Sequence, residues 1–183
     1  MSKFIITGTG RCGTTYCKAI LQICGINTGH QQVFNWDSVK TGEWDWTSDY
    51  GITDNLDGDS SFMAVPLLEK VKEKEPDTTI ITINRPLVNV LNSWQMRGVF
   101  VDGWEKFYPE WAEQLDILTP DGVERSIEWL ERWNEKANLF SDYVLSIDNL
   151  TRNPHLLFQA IGKMDKYDAS LVKLISTRAN SND

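Results

Sequence analysis

The stretch Phe4-Ile5-Ile6-Thr7-Gly8-Thr9-Gly10-Arg11-Cys12-Gly13-Thr14-Thr15-Tyr16-Cys17-Lys18-Ala19-Ile20-Leu21 decides how this chain is read. Phe4 to Thr7 is apolar and β-branched, the composition of a buried strand. A glycine-rich turn, Gly8 to Gly13, follows at once. From Thr14 to Cys24 the chain turns amphipathic, with Tyr16, Ala19, Ile20 and Ile23 at helical spacing. Strand, glycine turn and helix start together aim backbone N–H groups and a helix dipole at one point, where an anion can sit.

The spacing of Gly8 and Gly13 is that of the phosphate loop G-x-x-x-x-G-K-[ST], with Thr14 in place of the lysine and Thr15 as the hydroxyl. Without the lysine, ordinary ATP or GTP hydrolysis is not expected. Arg11, inside the loop, is the nearest cation and could supply the positive charge from another angle. Gly8, Gly10 and Gly13 also satisfy the dinucleotide pattern G-x-G-x-x-G, which needs an acidic residue closing a second strand about 20 residues on. Asp37 is the candidate, but GHQQVFNW before it makes a poor strand. A bare connecting turn is the bland alternative.

At 183 residues the chain is read as one domain, 1–183, large enough to bury a core without disulfides or metals. Its three cysteines, Cys12, Cys17 and Cys24, match no common metal spacing. Cys17 and Cys24 fall on one helix face, and Cys12 reads as a small filler in the loop rather than a reactive thiol. No charged-then-apolar leader and no 18-residue apolar run is found, so a soluble protein of the cytoplasm is expected. A net charge of −8 argues against nucleic acid or an acidic membrane as partner. Most of the eight tryptophans recur with other apolar residues, but Trp36, Trp44 and Trp46 lie in a polar segment and need another explanation.

Further along, strands and helices alternate as in an α/β domain. Residues 35–60 show no clear period. Ser61 to Val65 reads as a short strand, Pro66 as the start of the charged helix LLEKVKEKE, and Thr78 to Asn84 as a second buried strand. Helices are expected from Pro86, over Trp104–Leu115, over Val123–Phe140 and from Pro154, with a third strand at Tyr143–Ile147. The fold class is α/β, a phosphate-loop-like three-layer arrangement with a central parallel sheet flanked by helices.

At the second strand exit the chain reads Asn84-Arg85-Pro86, with Ser93 eight residues after the arginine. Arg85 offers a planar fork suited to phosphate, and Ser93 a neutral donor. Ligands of a parallel sheet collect beyond the carboxyl ends of its strands, so this junction and the glycine loop should face one crevice. Two anion sites imply a ligand with two phosphate-like groups.

In these residues the chain resembles the sulfotransferases that use 3′-phosphoadenosine 5′-phosphosulfate (PAPS). In that family a loop ending in G-T-T, with a lysine or arginine two residues before it, grips the 5′-phosphosulfate, and an arginine and serine eight apart grip the 3′-phosphate. Arg11-Cys12-Gly13-Thr14-Thr15-Tyr16 is similar to the first motif and Arg85 with Ser93 to the second. A bacterial and phage-type subgroup is similar over most of the chain, through GTGRCGT at 8–14, GHQ at 29–31, DSSFMAVP at 59–66, NRP at 84–86, EWLERWN at 128–134 and IDNL at 147–150. The chain departs from that pattern where Gln31 replaces a carboxylate and Asn84 an aspartate. No R-K-G loop is found, and Arg178 is only a loose stand-in.

The resemblance implies transfer of the sulfuryl group from PAPS, leaving the bisphosphate PAP, to a hydroxyl or amine acceptor, with no metal. Gly10, Arg11, Cys12, Gly13, Thr14, Thr15, Tyr16, Arg85 and Ser93 would bind the donor. Positive electrostatics would do much of the work, from Arg11 and the loop N–H groups. The acceptor also needs a base. His30 stands where the family places its base, and Asp59 is the runner-up; His155 is read as structural. Glu43, Asp45, Asp49, Asp54, Asp57 and Asp59, interleaved with Trp44, Trp46 and Tyr50, make a solvated acidic stretch. If that stretch borders the acceptor, it would repel polyanions and stack on a neutral or cationic group. The alternatives are a PAPS- or PAP-binding protein without catalysis and a phosphate-loop kinase with a displaced cation.

Overall fold

A computed structural model describes residues 2–47, 55–96 and 123–179, and the side chains of these except 95, 123 and 176–179. The expected helix at 104–115, residues Asp49, Tyr50 and Asp54, and the Arg178 side chain lie outside the described residues.

Five parallel strands form the central sheet, in the order β2-β3-β1-β4-β5. They are β1 (Phe4–Thr7), β2 (Thr28–Gly29), β3 (Gly58–Ser60), β4 (Thr79–Asn84) and β5 (Tyr143–Ser146). β1 is central and wholly buried, pairing Phe4 with Gly58 on one side and with Thr79 on the other. The helices are α1 (Thr14–Ile23), α2 (Trp36–Thr41), α3 (Leu68–Lys74), α4 (Leu87–Gln95), α5 (Val123–Phe140), α6 (Ile147–Arg152), α7 (His155–Ala160) and α8 (Ala169–Ala179). This is the α/β sheet-and-helix arrangement that the alternating pattern predicts. Among the described residues, no helix is long and apolar enough to cross a membrane.

Alternation of side chains along β1 divides the interior into two cores. Ile5 faces a cluster with Phe34, Leu68, Ile80, Trp94 and Trp133, while Phe4 and Ile6 face one with Cys17, Ile20, Leu21, Ile81 and Phe158. Cys17 and Cys24 are both in the second cluster, as expected from their shared helix face. Burial pushes the Cys17 thiol well above its ordinary value.

Three expectations need correction. The third strand in sequence is Gly58–Ser60, not Ser61–Val65; residues Phe62–Leu67 form a 3-10 helix containing Pro66, and α3 begins only at Leu68. Gly58-Asp59-Ser60 escapes a hydrophobic-pattern reading because its polar side chains are buried and hydrogen-bonded. Residues 35–60 are not all irregular, because Asn35 caps α2 through its side chain and Ser38 reciprocates. Lastly, Ile147 opens α6 rather than closing β5. β5 is an edge strand whose Tyr143 and Val144 are exposed.

The three tryptophans without a periodic context also find their place. Trp44 and Trp46 each donate an indole N–H to Glu75, both at 2.9 Å, and their rings lie against Phe34. Lys40 lies over the ring of Trp36. Glu43, from the acidic stretch, pairs with Lys70 and Lys74, which hold its carboxyl below its ordinary value.

Candidate active site

Between β1 and α1 the chain turns through backbone conformations that side chains rarely adopt: φ is 151° at Gly8, 69° at Gly10 and 109° at Gly13, and Arg11 itself sits at 52°. Space requires glycine here as well. A Cβ at Gly8 would stand 2.5 Å from the Ile83 carbonyl, and one at Gly13 would stand 2.4 Å from Ile147 Cδ1. The IDNL corner therefore packs under the loop. No side chain caps α1, so its positive N-terminus is presented at the loop mouth.

Distant elements hold this loop in shape. Trp133 of α5, fully buried, donates its indole N–H to the Gly8 carbonyl at 2.9 Å. Ser60, at the end of β3, donates to the Thr14 carbonyl at 2.8 Å. Sequence reasoning assigned neither residue to the site; the motifs EWLERWN and DSS were the signal. Cys12 is buried and its thiol is pushed up to about 11 by burial, so it is the small neutral filler expected.

Two groups of candidate residues meet at the carboxyl edge of the sheet. In the first, Arg85 Nη1 donates to the Arg11 carbonyl at 2.8 Å, and Arg11 Nε donates to Ser93 Oγ at 2.9 Å. The glycine loop and the Arg85 junction thus share one crevice. They are also hydrogen-bonded to each other, rather than forming two detached anion sites. In the second group, Thr15 Oγ1 lies 3.2 Å from His30 Nε2. Partial burial and the nearby Lys18 lower the imidazole below its ordinary value. Lys18, one turn beyond Thr15, is a cation near the site that the sequence reading passed over.

Asp59 stands apart from both groups. It is fully buried, and its carboxylate accepts the backbone N–H groups of Gln32, Val33 and Phe34 at 3.3, 3.2 and 3.0 Å. Burial raises its pKa, and the same N–H groups pull it back. A base must reach the proton it takes; Asp59 is instead committed to holding the turn that follows His30. Ser61 supports the same turn by donating to the Phe34 carbonyl at 2.6 Å. At the head of that turn Gln31 has a φ of 57°. His155 lies edge-on to Tyr167, in line with its structural reading.

The dinucleotide reading finds no support in this geometry. Asp37 lies in the first turn of α2, and the strand beside β1 is β3 rather than β2. Asp37 therefore does not close a second strand beside β1 in the way that fingerprint requires, and Asp59 of β3 is tied to the N–H groups of Gln32, Val33 and Phe34. Among the described residues, no group of three or more His, Cys, Asp or Glu side chains is placed to hold a metal ion.

No family profile and no curated protein matches this sequence. A solved sulfotransferase from Alicyclobacillus acidocaldarius matches in structure over 88% of this chain and 81% of its own, with a TM-score of 0.53 and 13% identity. This chain shares the fold of that solved structure. In this chain the glycine loop after β1 and the arginine after β4 lie at the same edge of the sheet, where ligands of parallel sheets bind.

Proposed function

We propose that this chain is a sulfotransferase that takes its sulfuryl group from PAPS and passes it to a hydroxyl or amine acceptor. The observation that carries the proposal is the meeting at Arg11 of the glycine loop, Arg85 and Ser93. Uncapped helix, left-handed loop and two guanidinium groups suit an adenosine carrying an anion at each end of its ribose. The residues fit the donor: close packing demands glycine at Gly8, Gly10 and Gly13, which lets the chain turn tightly from β1 into the uncapped N-terminus of α1.

PAPS, when bound, supplies the sulfuryl group to be transferred. On the protein side, the α1 N-terminus, the loop N–H groups and Arg11 stabilise negative charge on the transferred group and on the departing phosphate. Arg85 and Ser93 hold the 3′-phosphate. His30 takes the acceptor proton on Nδ1, the ring nitrogen not engaged by Thr15. Its lowered pKa leaves the imidazole neutral, and therefore basic, at pH 7. Thr15 orients that ring through their hydrogen bond.

The acceptor side favours a neutral or cationic molecule. A cavity of about 450 Å3 begins at Gln32, two residues beyond His30, and is lined by Asn35, Asp37, Trp44 and Asp45. Carboxylates there disfavour a polyanion.

Thermal unfolding in the presence of PAP, ATP, AMP and NADH tests the donor assignment, because a ligand that binds only the folded state raises its stability. PAP should give the largest shift, without magnesium. A larger shift with NADH, or a magnesium requirement with ATP, would overturn the proposal. Stabilisation by PAP with no transfer from PAPS to any sugar, phenol, alcohol or amine would leave a binding protein without catalysis.

A further inference from the structure

One face of α1 runs along the end of β2. Thr15 Oγ1 meets His30 Nε2 at 3.2 Å, and two turns further on Gln22 Nε2 donates to the Thr28 carbonyl at 2.9 Å. Lys18 lies between these two on the same face. Helical side chains lean back toward the N-terminus, which carries the Lys18 ammonium toward Thr15 and His30. Burial, and then that cation, disfavour the protonated imidazole. Among the described residues, no carboxylate pairs with Lys18 and no acceptor takes its protons. A half-buried charge without a partner is costly, so an anion belongs beside it. The other side of His30 has the opposite sign. Cys17 and Ile20 of α1 pack with Phe4 and Ile6, while Val39 of α2 packs with Ile5, so the two helices cover opposite faces of the sheet. From the α2 face, Asp37 and Asp45 line the cavity that begins at Gln32, and among the described residues neither is ion-paired.

We propose that Lys18 holds a carboxylate of the acceptor, beside the hydroxyl whose proton His30 takes, so that the acceptor is a zwitterionic hydroxy acid of the hydroxy-amino-acid type. The proposal rests on the sulfotransferase reading given above and names the acceptor class within it. Lys18 supplies the pairing charge for the carboxylate. Asp37 and Asp45, reached from the other face, favour an ammonium and oppose any further negative charge. Arg11, Arg85 and Ser93 are bonded among themselves and stay with the donor. Two opposite charges fix which way round the acceptor lies, and that orientation brings its hydroxyl to His30.

Sulfuryl transfer from PAPS to matched pairs tests this: serine with serinamide, threonine with threoninamide, and tyrosine with tyrosinamide. The proteins are the full chain as wild type, Lys18→Met and Lys18→Arg. For at least one pair, wild type should favour the acid over the amide about tenfold in kcat/KM, the worth of a charge-assisted bond. Lys18→Met should bring that ratio near one, and Lys18→Arg should restore most of it. Nuclear magnetic resonance adds a reading without turnover: the acid should move the His30 ring and Lys18 Hε resonances at a lower concentration than its amide does. A ratio near one in wild type for every pair, or an unchanged ratio in Lys18→Met, would overturn the proposal. So would a loss of affinity for PAP or adenosine 5′-phosphosulfate in Lys18→Met as large as the loss of acid preference, because the anion at Lys18 would then be the donor's. If wild type transfers to none of these acceptors, the resonance titration decides, and no movement of either residue with any of the three acids overturns the proposal. If wild type does not bind PAP, the sulfotransferase reading itself fails, and the same titration still decides whether Lys18 holds a carboxylate. Melting temperatures of the variants separate these outcomes from misfolding.

Discussion

Thr15 Oγ1 and His30 Nε2 lie 3.2 Å apart, joining the first turn of α1 to the residue that leaves β2. This contact puts the most readily titrated side chain of the site at the mouth of the phosphate loop. The neutral imidazole is favoured in the folded state, chiefly by burial and then by Lys18.

His30→Gln should lower the sulfuryl-transfer rate by roughly 10²-fold or more, the usual contribution of a general base. PAP affinity should stay near wild type in isothermal titration. In wild type the acid limb of kcat/KM should fall below the ordinary histidine value of 6.5, because the folded-state pKa is depressed. The same sign applies to stability. His30's contribution is complete above that ordinary value and is lost as pH falls through the folded pKa, where the protonated imidazole must be accommodated. An unchanged rate in the variant would remove His30 from the mechanism.

Arg85→Ala should weaken PAP more than adenosine 5′-phosphosulfate. A charge-assisted hydrogen bond contributes about 1.5–3 kcal/mol, which is about tenfold and upward in affinity. The second ligand should also lose some affinity, because Arg85 holds the Arg11 carbonyl. Equal losses for the two ligands would mean that Arg85 does not contact the 3′-phosphate.

Trp133→Phe keeps the aromatic packing against Trp129 and Phe62 but deletes the indole N–H that reaches the Gly8 carbonyl. A buried acceptor left without its donor costs about 1–3 kcal/mol. Urea unfolding should show that loss, and PAP titration should show weaker binding, because the loop loses a support. A destabilised variant with wild-type PAP affinity would show that the loop keeps its shape without Trp133.

Asp59→Ala removes the acceptor for the N–H groups of Gln32, Val33 and Phe34 from a fully buried position. The expected loss of stability is about 3 kcal/mol or more, as for other broken buried polar networks. If Asp59 were the base, Asp59→Asn would abolish transfer while His30→Gln spared it. The geometry predicts the reverse order of severity.

Local pattern in the chain determined the strand, glycine loop and helix at residues 4–23, the strand ending at Asn84 and the long helix at 123–140. Each of these is encoded by a hydrophobic period or by a backbone conformation that glycine permits, and both are properties of neighbouring residues. Arg11, Arg85 and Ser93 could be nominated from the sequence as candidate anion ligands, because Arg11 lies in the glycine loop after β1, Arg85 follows β4 and Ser93 lies on the helix after it. Only the tertiary structure decided that β3 rather than β2 lies beside β1, which withdraws support from the dinucleotide reading. β2 has two residues, and β3 is Gly-Asp-Ser, so neither carries a hydrophobic signal. The tertiary structure alone also turned Asp59 from a candidate base into the anchor of the turn after His30. It joined Arg11 to Ser93 across 82 residues and Gly8 to Trp133 across 125. Such bonds depend on which strands and helices become neighbours, and the cooperative burial of two cores settles that, beyond the reach of any window of sequence.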